Sequence, residues 1–267
     1  MTDDDELAAR IAEECGAVLV DLRAQGVDGG AKALGAEGDR RSNEALIAAL
    51  AAARPLDAVL SEEGGSAPGR PDRAGADRVW VVDPLDGTRE YSEGRDDFAV
   101  HVALVVAGQP VAGAVALPGE GLIFATGSGT PAGAGTSTGT GTPTGPGPAA
   151  GIGTVHAGLR KVAVSRTRPP DEAAQVATRL GAELVPMGSA GAKTMAVVRG
   201  TVDAYIHAGG QYEWDSAAPV AVARAHGLHA SRLDGSPLLY NRPDPWLPDL
   251  LVCRVDLVET VLEALQP

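Results

Sequence analysis

The stretch Trp80-Val81-Val82-Asp83-Pro84-Leu85-Asp86-Gly87-Thr88-Arg89-Glu90-Tyr91 decides how this chain is read. Arg78 to Val82 is a mostly apolar run of strand length, and it stops abruptly at Asp83-Pro84. Two carboxylates three residues apart therefore stand just past the end of a buried strand, with Pro84 restricting the backbone between them so that both converge on one point. Gly87 permits a tight approach of backbone to a ligand, and Thr88 supplies a hydroxyl. Two anions at the edge of a core cost free energy unless a cation joins them. A hard divalent ion such as Mg²⁺ suits the pair, because it takes carboxylate and carbonyl oxygens at roughly 2.0–2.1 Å and keeps some of its waters.

Upstream, a polar loop from Gly64 to Asp77 separates this strand from a shorter one, Ala58 to Ser61, which ends in Glu62-Glu63. Before that, the spacing of Leu7, Ile11, Cys15, Val18 and Leu22 predicts an amphipathic helix from about Asp5 to Gln25. A Gly-rich turn, Gly26 to Gly38, leads to a second helix from about Asp39 to Ala53, stopped before Pro55. Downstream, Phe98 to Val106, Val111 to Leu117 and Leu122 to Ala125 read as an antiparallel meander. The second half alternates. Strands are expected at Lys161 to Ser165, Glu183 to Val185, Val202 to Ile206 and Leu250 to Cys253. Helices are expected at Asp171 to Leu180, at about Ala190 to Val198, from Asp215 to Gly227, and at the end around Leu257, Val261, Leu262 and Leu265. This order reads as α+β or α/β in two lobes, without internal repeats.

From Gly121 to Leu159 there is no Lys, Arg, Asp or Glu, and from Thr126 to Gly153 almost every residue is Gly, Thr, Pro, Ala or Ser. Such a segment has little to bury and is expected to be a flexible insertion or linker. The expected division is an N-terminal α+β lobe over residues 1–125, the insertion over 126–159, and a C-terminal α/β lobe over 160–267.

The chain has 267 residues, 35 Asp+Glu against 22 Lys+Arg, and a net charge of −13. That balance argues against a nucleic-acid partner, since affinity for a duplex rests on Lys and Arg neutralising phosphates. Apolar residues make up 44% of the chain, enough to fill a core, so disorder of the whole chain is excluded. No run of ~18 apolar residues argues for a membrane span. The amino end is acidic where a secretory signal is basic, and Cys15 and Cys253 form no disulfide pattern, so a cytoplasmic address is expected. Both cysteines read as core residues. Asp96 and Asp97 read as turn caps, His101 as a satisfied interior residue, and His226 and His229 as unrelated to metal because Gly227 breaks the helix between them.

Other acidic positions share the strand-end or helix-start character of Asp83 and Asp86. Glu62 and Glu63 end a strand. Asp215, in Glu213-Trp214-Asp215, opens a helix and equally suits an N-cap, and Asp39 is by itself an ordinary helix cap. Taken together, such carboxylates can converge to hold two metals ~3.5–4 Å apart.

Asp83-Pro84-Leu85-Asp86-Gly87-Thr88, the upstream Glu62-Glu63 and the downstream Trp214-Asp215-Ser216-Ala217-Ala218 resemble the signature blocks of the lithium-sensitive, Mg²⁺-dependent phosphatase superfamily that includes the inositol monophosphatases. The resemblance spans nearly the whole chain, with the charge-free insertion as its main departure. Arg89-Glu90-Tyr91, Gly188-Ser189-Ala190-Gly191-Ala192-Lys193 and Ala208-Gly209-Gly210-Gln211 are similar to the CysQ-type bisphosphate nucleotidases within it. The resemblance implies a layered αβαβα sandwich of the inositol monophosphatase/fructose-1,6-bisphosphatase type. It also implies two or three Mg²⁺ ions and hydrolysis of the 3′-phosphate of 3′-phosphoadenosine 5′-phosphate in support of sulfate assimilation.

Carried over residue by residue, the resemblance assigns Glu62, Asp83 and the Leu85 carbonyl to one metal, and Asp83, Asp86 and Asp215 to another. It assigns Asp39, Glu62 and Thr88 to the attacking water, with Glu37 the residue that could be confused with Asp39. Asp86, Gly87, Thr88 and Asp215 are expected to meet the substrate, with Gly188, Ser189, Ala190, Lys193 and His207 on the nucleotide side. Lys193 is one of only three lysines, beside Lys32 and Lys161. His207 departs from the pattern, which leaves the anchor of the 5′-phosphate open. Action on inositol monophosphates or fructose 1,6-bisphosphate, and a non-enzymatic metal-dependent nucleotide sensor, are the alternatives. A dehalogenase-type phospho-aspartate is disfavoured because the spacing is Asp-x-x-Asp with Pro84 inside it. The partner expected is a small phosphorylated molecule, with monomer and homodimer both open.

Overall fold

Thr2 begins the first helix. Its hydroxyl accepts from the Asp5 N–H at 3.2 Å while the Asp5 carboxylate accepts from the Thr2 N–H at 2.7 Å, which satisfies two of the donors that a helix start leaves open. The computed structural model describes residues 2–64, 72–127, 132–133 and 158–266. In order its elements are α1 (Asp3–Gln25), α2 (Gly30–Ala53), β1 (Ala58–Ser61), β2 (Arg78–Asp86), α3 (Thr88–Ser92), β3 (Ala99–Val106), β4 (Gln109–Leu117), β5 (Leu122–Ala125) and β6 (Ala132–Gly133). There follow β7 (Lys161–Ser165), α4 (Asp171–Leu180), β8 (Glu183–Met187), α5 (Ala190–Val198), β9 (Ala204–Tyr212), α6 (Glu213–Ala225), β10 (Leu228–Ser231), β11 (Trp246–Arg254) and α7 (Val258–Leu265).

Among the described residues the strands make two sheets, ordered β1-β2-β3-β4-β5-β6 and β10-β11-β9-β7-β8. The first is antiparallel except where β1 runs parallel to β2. Because side chains alternate along a strand, each sheet buries both faces against different helices. Leu7, Ile11, Leu19, Leu46 and Leu50 of α1 and α2 pack on Trp80, Val82, Val100 and Val102. The opposite faces of the same strands, with Val79, Val81, Ala103 and Val115, pack on Met195 of α5 and Ala217, Ala218 and Val220 of α6, which reach the second sheet at Tyr205 and Val252. The outer face of that sheet is closed by Val176 of α4 and Val261 of α7. The result is the five-layer αβαβα sandwich.

Several boundaries differ from those expected. The second helix begins at Gly30, not Asp39: Gly35 and Gly38 face close neighbours from within the helix and are not turn residues. Asp39 is therefore a mid-helix residue and caps nothing. The central strand β9 runs on through Gly209 and Gly210 to Tyr212, and α6 starts at Glu213. Asp215 thus lies inside the first turn of α6, where its Oδ2 accepts from the Tyr212 N–H at 2.6 Å. The segment read as an insertion, 126–159, lies mostly outside the described residues. Of its described part, Ala132 and Gly133 pair with Ile123 and Leu122, the Thr126 hydroxyl bonds Asp5, and Leu159 is buried. Among the described residues no helix is long and apolar enough to cross a membrane.

Candidate active site

The site is built where β2 ends. Its pairing with β3 is regular up to Asp83 opposite His101 and then slips, so that Asp86 lies opposite Ala99. The Leu85 N–H donates to Asp83 Oδ1 at 3.0 Å, and the Pro84 carbonyl accepts from the Ser42 hydroxyl of α2 at 2.6 Å. Those two bonds pin the kink that puts both carboxylates on one side of the sheet end. Gly87, at φ +91°, then reverses the chain into α3, a backbone state that favours glycine. From the other side, α6 packs across β2, β3 and β4 and carries Asp215 to the same point. One carboxylate oxygen from each of Asp83, Asp86 and Asp215 falls within 4.8 Å of the others. Glu62 stands outside that triad with an exposed side chain, its carboxyl directed at Asp83.

The electrostatics of these groups are those of anions crowded without a counter-ion. Burial and then the Glu62 charge raise Asp83 well above the carboxylate range. Burial and then Asp86 push Asp215 up to about 6, while enclosure of its carboxyl by protein and then Asp215 push Glu62 to about 7. Asp86 is the exception. Burial would raise it, but the His101 imidazole, Lys193 and the Ser189 hydroxyl hold it down at about 2. Its Oδ2 accepts from Ser189 Oγ at 2.5 Å and from the Gly191 N–H at 2.8 Å. Such a set of hard oxygen donors, raising one another's pKa, fits a divalent cation.

His101, expected to be a satisfied interior residue, belongs to this site. Nδ1 lies 3.0 Å from the Trp214 carbonyl and so carries a hydrogen, while Nε2 stands 3.2 Å from Asp86 Oδ2 without hydrogen-bond alignment. It joins β3 to the start of α6 behind the carboxylates. The alternation of β3 gave its face, but nothing local in the sequence gave its partner.

Asp39 reaches the site through helix packing. A Cβ on Gly35 would lie 2.5 Å from Ser92 Oγ, and one on Gly38 would lie 2.9 Å from Tyr91 Cε1 and 3.0 Å from Leu85 Cδ2. Bare backbone at these positions lets α2 rest directly on the turn and α3. The Thr88 hydroxyl then meets Asp39 Oδ1 at 3.0 Å and the Leu85 carbonyl at 3.2 Å. It has one hydrogen and donates to one of them at a time. Burial pushes Asp39 up to about 6. Gly38→Ala gains up to about 1 kcal/mol of helix propensity, but overpacking against Tyr91 and Leu85 costs typically 1–3 kcal/mol. The variant is expected to be less stable in urea and slower in turnover, because Asp39 is displaced with its neighbour. Wild-type stability and rate would show the contact to be slack.

Asp86, Gly87, Thr88, Gly188, Ser189, Ala190, Lys193, His207 and Asp215 all line one cavity of about 830 Å³, while Asp39, Glu62 and Asp83 lie outside its wall. Ser189 heads α5 at φ 46°, and its Oγ accepts from the Ala192 N–H at 2.9 Å while donating to Asp86. Lys193 is buried, its Nζ donating to the carbonyls of Ser189 at 2.7 Å and Gly188 at 3.1 Å. It braces the loop that carries Ser189. His207 Nε2 is 3.0 Å from the Gly210 carbonyl, on the far wall. Two tethers outside the expected set hold the halves of the cavity together: Arg166 bonds Glu90 and Glu93 at 2.8 Å each, and the Gly188 N–H bonds Asp97 Oδ2 at 2.6 Å.

Comparison with known proteins agrees with this geometry. The profile of the inositol monophosphatase family matches residues 5–260. The 3′-phosphoadenosine 5′-phosphate phosphatase of Mycobacterium tuberculosis is 48% identical over 94% of this chain and 89% of its own length. The protein of the same name from Mycobacterium leprae is 46% identical over 97% of this chain and 92% of its own. The crystal structure of CysQ from Bacteroides thetaiotaomicron, 26% identical, superposes with a TM-score of 0.75 over 94% of this chain and 96% of that one.

Proposed function

The chain belongs to the inositol monophosphatase family, and we propose that it is a Mg²⁺-dependent phosphatase that removes the 3′-phosphate of 3′-phosphoadenosine 5′-phosphate to leave AMP. The observation that carries the reading is the acidic triad Asp83, Asp86 and Asp215 beneath a cavity that reaches Ser189 and His207. The mycobacterial relatives supply the substrate class by their names.

Glu62, Asp83 and the Leu85 carbonyl would hold one Mg²⁺ ion, and Asp83, Asp86 and Asp215 a second. Bound Mg²⁺ supplies positive charge beside the phosphate and makes a nearby water more acidic. The protein's own part is to position and to take a proton. Thr88, donating to Asp39, keeps its lone pairs free to accept from the attacking water. Asp39, raised by burial, is a better base than an ordinary carboxylate, and Glu62 would help orient the water from beside the metal. Gly87 and Thr88 present backbone N–H groups to the phosphate at the turn. The Ser189 hydroxyl and the Gly191 N–H fix Asp86 so that it need not reorganise during the reaction. We place the reaction in the cytoplasm, where it would serve sulfate assimilation; two buried free cysteines are compatible with a reducing compartment.

The test is phosphate release from 3′-phosphoadenosine 5′-phosphate, inositol 1-phosphate and fructose 1,6-bisphosphate, compared by kcat/KM. The nucleotide is expected to lead by ~100-fold, about 2.7 kcal/mol in the transition state. Equal or faster turnover of the other two would make this a broad sugar-phosphate phosphatase.

A further inference from the structure

We propose that Gln211 reads the base of the nucleotide, an inference that rests on the nucleotidase reading above. The end of β9 is Ala208-Gly209-Gly210-Gln211-Tyr212, with Gly209 at φ +91° and Gly210 at φ +92°. A Cβ on Gly210 would lie 2.6 Å from the Trp246 indole, so glycine here lets the ring lie against the strand. Trp246 lines the cavity and remains 47% exposed, a flat apolar wall directly across the ladder from Tyr212.

Gln211 lines the same cavity but is only 7% exposed, and neither its Oε1 nor its Nε2 has a hydrogen-bond partner. Among the described residues, His101 and His226 share that fault at one nitrogen each, and that of His101 faces Asp86. Gln211 alone among them has its entire polar group orphaned. An unpartnered buried amide destabilises the fold, and an apolar side chain of similar shape would avoid the penalty. The residue makes chemical sense if the ligand completes it.

A carboxamide presents an acceptor and a donor side by side in one plane. The N6/N7 edge of adenine presents an amine donor beside a ring-nitrogen acceptor and takes both bonds, whereas the O6/N7 edge of guanine presents two acceptors and takes one. A rotation of the side chain into the cavity it already lines brings the two together, with the base lying along the Trp246 indole.

The test compares kcat/KM, with Mg²⁺ present, for 3′-phosphoadenosine 5′-phosphate and 3′-phosphoguanosine 5′-phosphate in wild type and Gln211→Leu, together with the melting temperature of each protein without nucleotide. Wild type is expected to favour adenine by at least about tenfold. Gln211→Leu is expected to bring that ratio close to unity while melting at the same or a higher temperature. Gln211→Glu, which keeps the shape and loses the donor, is expected to keep or widen the preference for adenine, because a carboxylate still accepts from the adenine amine and offers no donor to the two acceptors of guanine. In Gln211→Leu, a parallel loss on both bases, or an unchanged ratio in a stabilised variant, would overturn the inference. A wild type that prefers nucleotides but does not discriminate between bases would overturn it and leave the nucleotidase reading standing. Equal turnover of inositol 1-phosphate by wild type would remove that reading and this inference with it.

Discussion

Asp83→Asn is expected to lower kcat by roughly a thousandfold or more, since metal-derived stabilisation of several kcal/mol is lost at 1.36 kcal/mol per decade of rate. The fold should survive. Asp83 is 1% exposed and is raised by burial and by the charges of Glu62, Asp86 and Asp215, so an amide in its place removes repulsion without changing volume. The asparagine oxygen can still accept the Leu85 N–H that Asp83 accepts at 3.0 Å, and the kink at Pro84 is kept. In EDTA the variant should therefore melt at or above the wild-type temperature. Steady-state kinetics and thermal melts check both halves. A rate within tenfold of wild type would remove Asp83 from the ligand set, and unfolding would mean that its role is structural. Asp215→Asn is expected to behave alike, with the Tyr212 N–H still capped.

Removal of divalent cations is the second large effect. With EDTA, phosphate release should fall to background and return on adding Mg²⁺, with Li⁺ inhibiting. The chain carries a net charge of −13, which repels an anionic substrate at long range. Three aspartate oxygens within 4.8 Å, with Glu62 beside them, make the site still more negative unless a cation occupies it. The same crowding predicts that Mg²⁺ stabilises the fold. At 100 times Kd a single ion contributes about 2.7 kcal/mol, which for a chain of this size corresponds to roughly 5–10 °C in Tm. Turnover that persists in EDTA, or a melting curve indifferent to Mg²⁺, would contradict the metal assignment.

What the sequence by itself determined is whatever rests on local pattern. The apolar run ending at Asp83-Pro84, the meander from Phe98 to Ala125 and the helix at Asp171–Leu180 were legible because side-chain period, proline and capping act over a few residues. The acidic blocks at 83–88 and 214–218 were legible for the same reason, being contiguous in the chain. Only the tertiary structure decided how those blocks meet. Gly35 and Gly38 look like turn residues in isolation, yet they lie inside α2, where Ser92 and Thr88 leave no room for a Cβ at Gly35 and Tyr91 and Leu85 leave none at Gly38. Asp215 looks like an N-cap, and it sits within the first turn of α6 because β9 continues through two left-handed glycines to Tyr212. By its local pattern His101 is one more interior residue, and no local rule picks out the carboxamide of Gln211. The facing of His101 toward Asp86 and the isolation of Gln211 depend on strand register and on what packs above, which are long-range contacts to which local propensity contributes nothing.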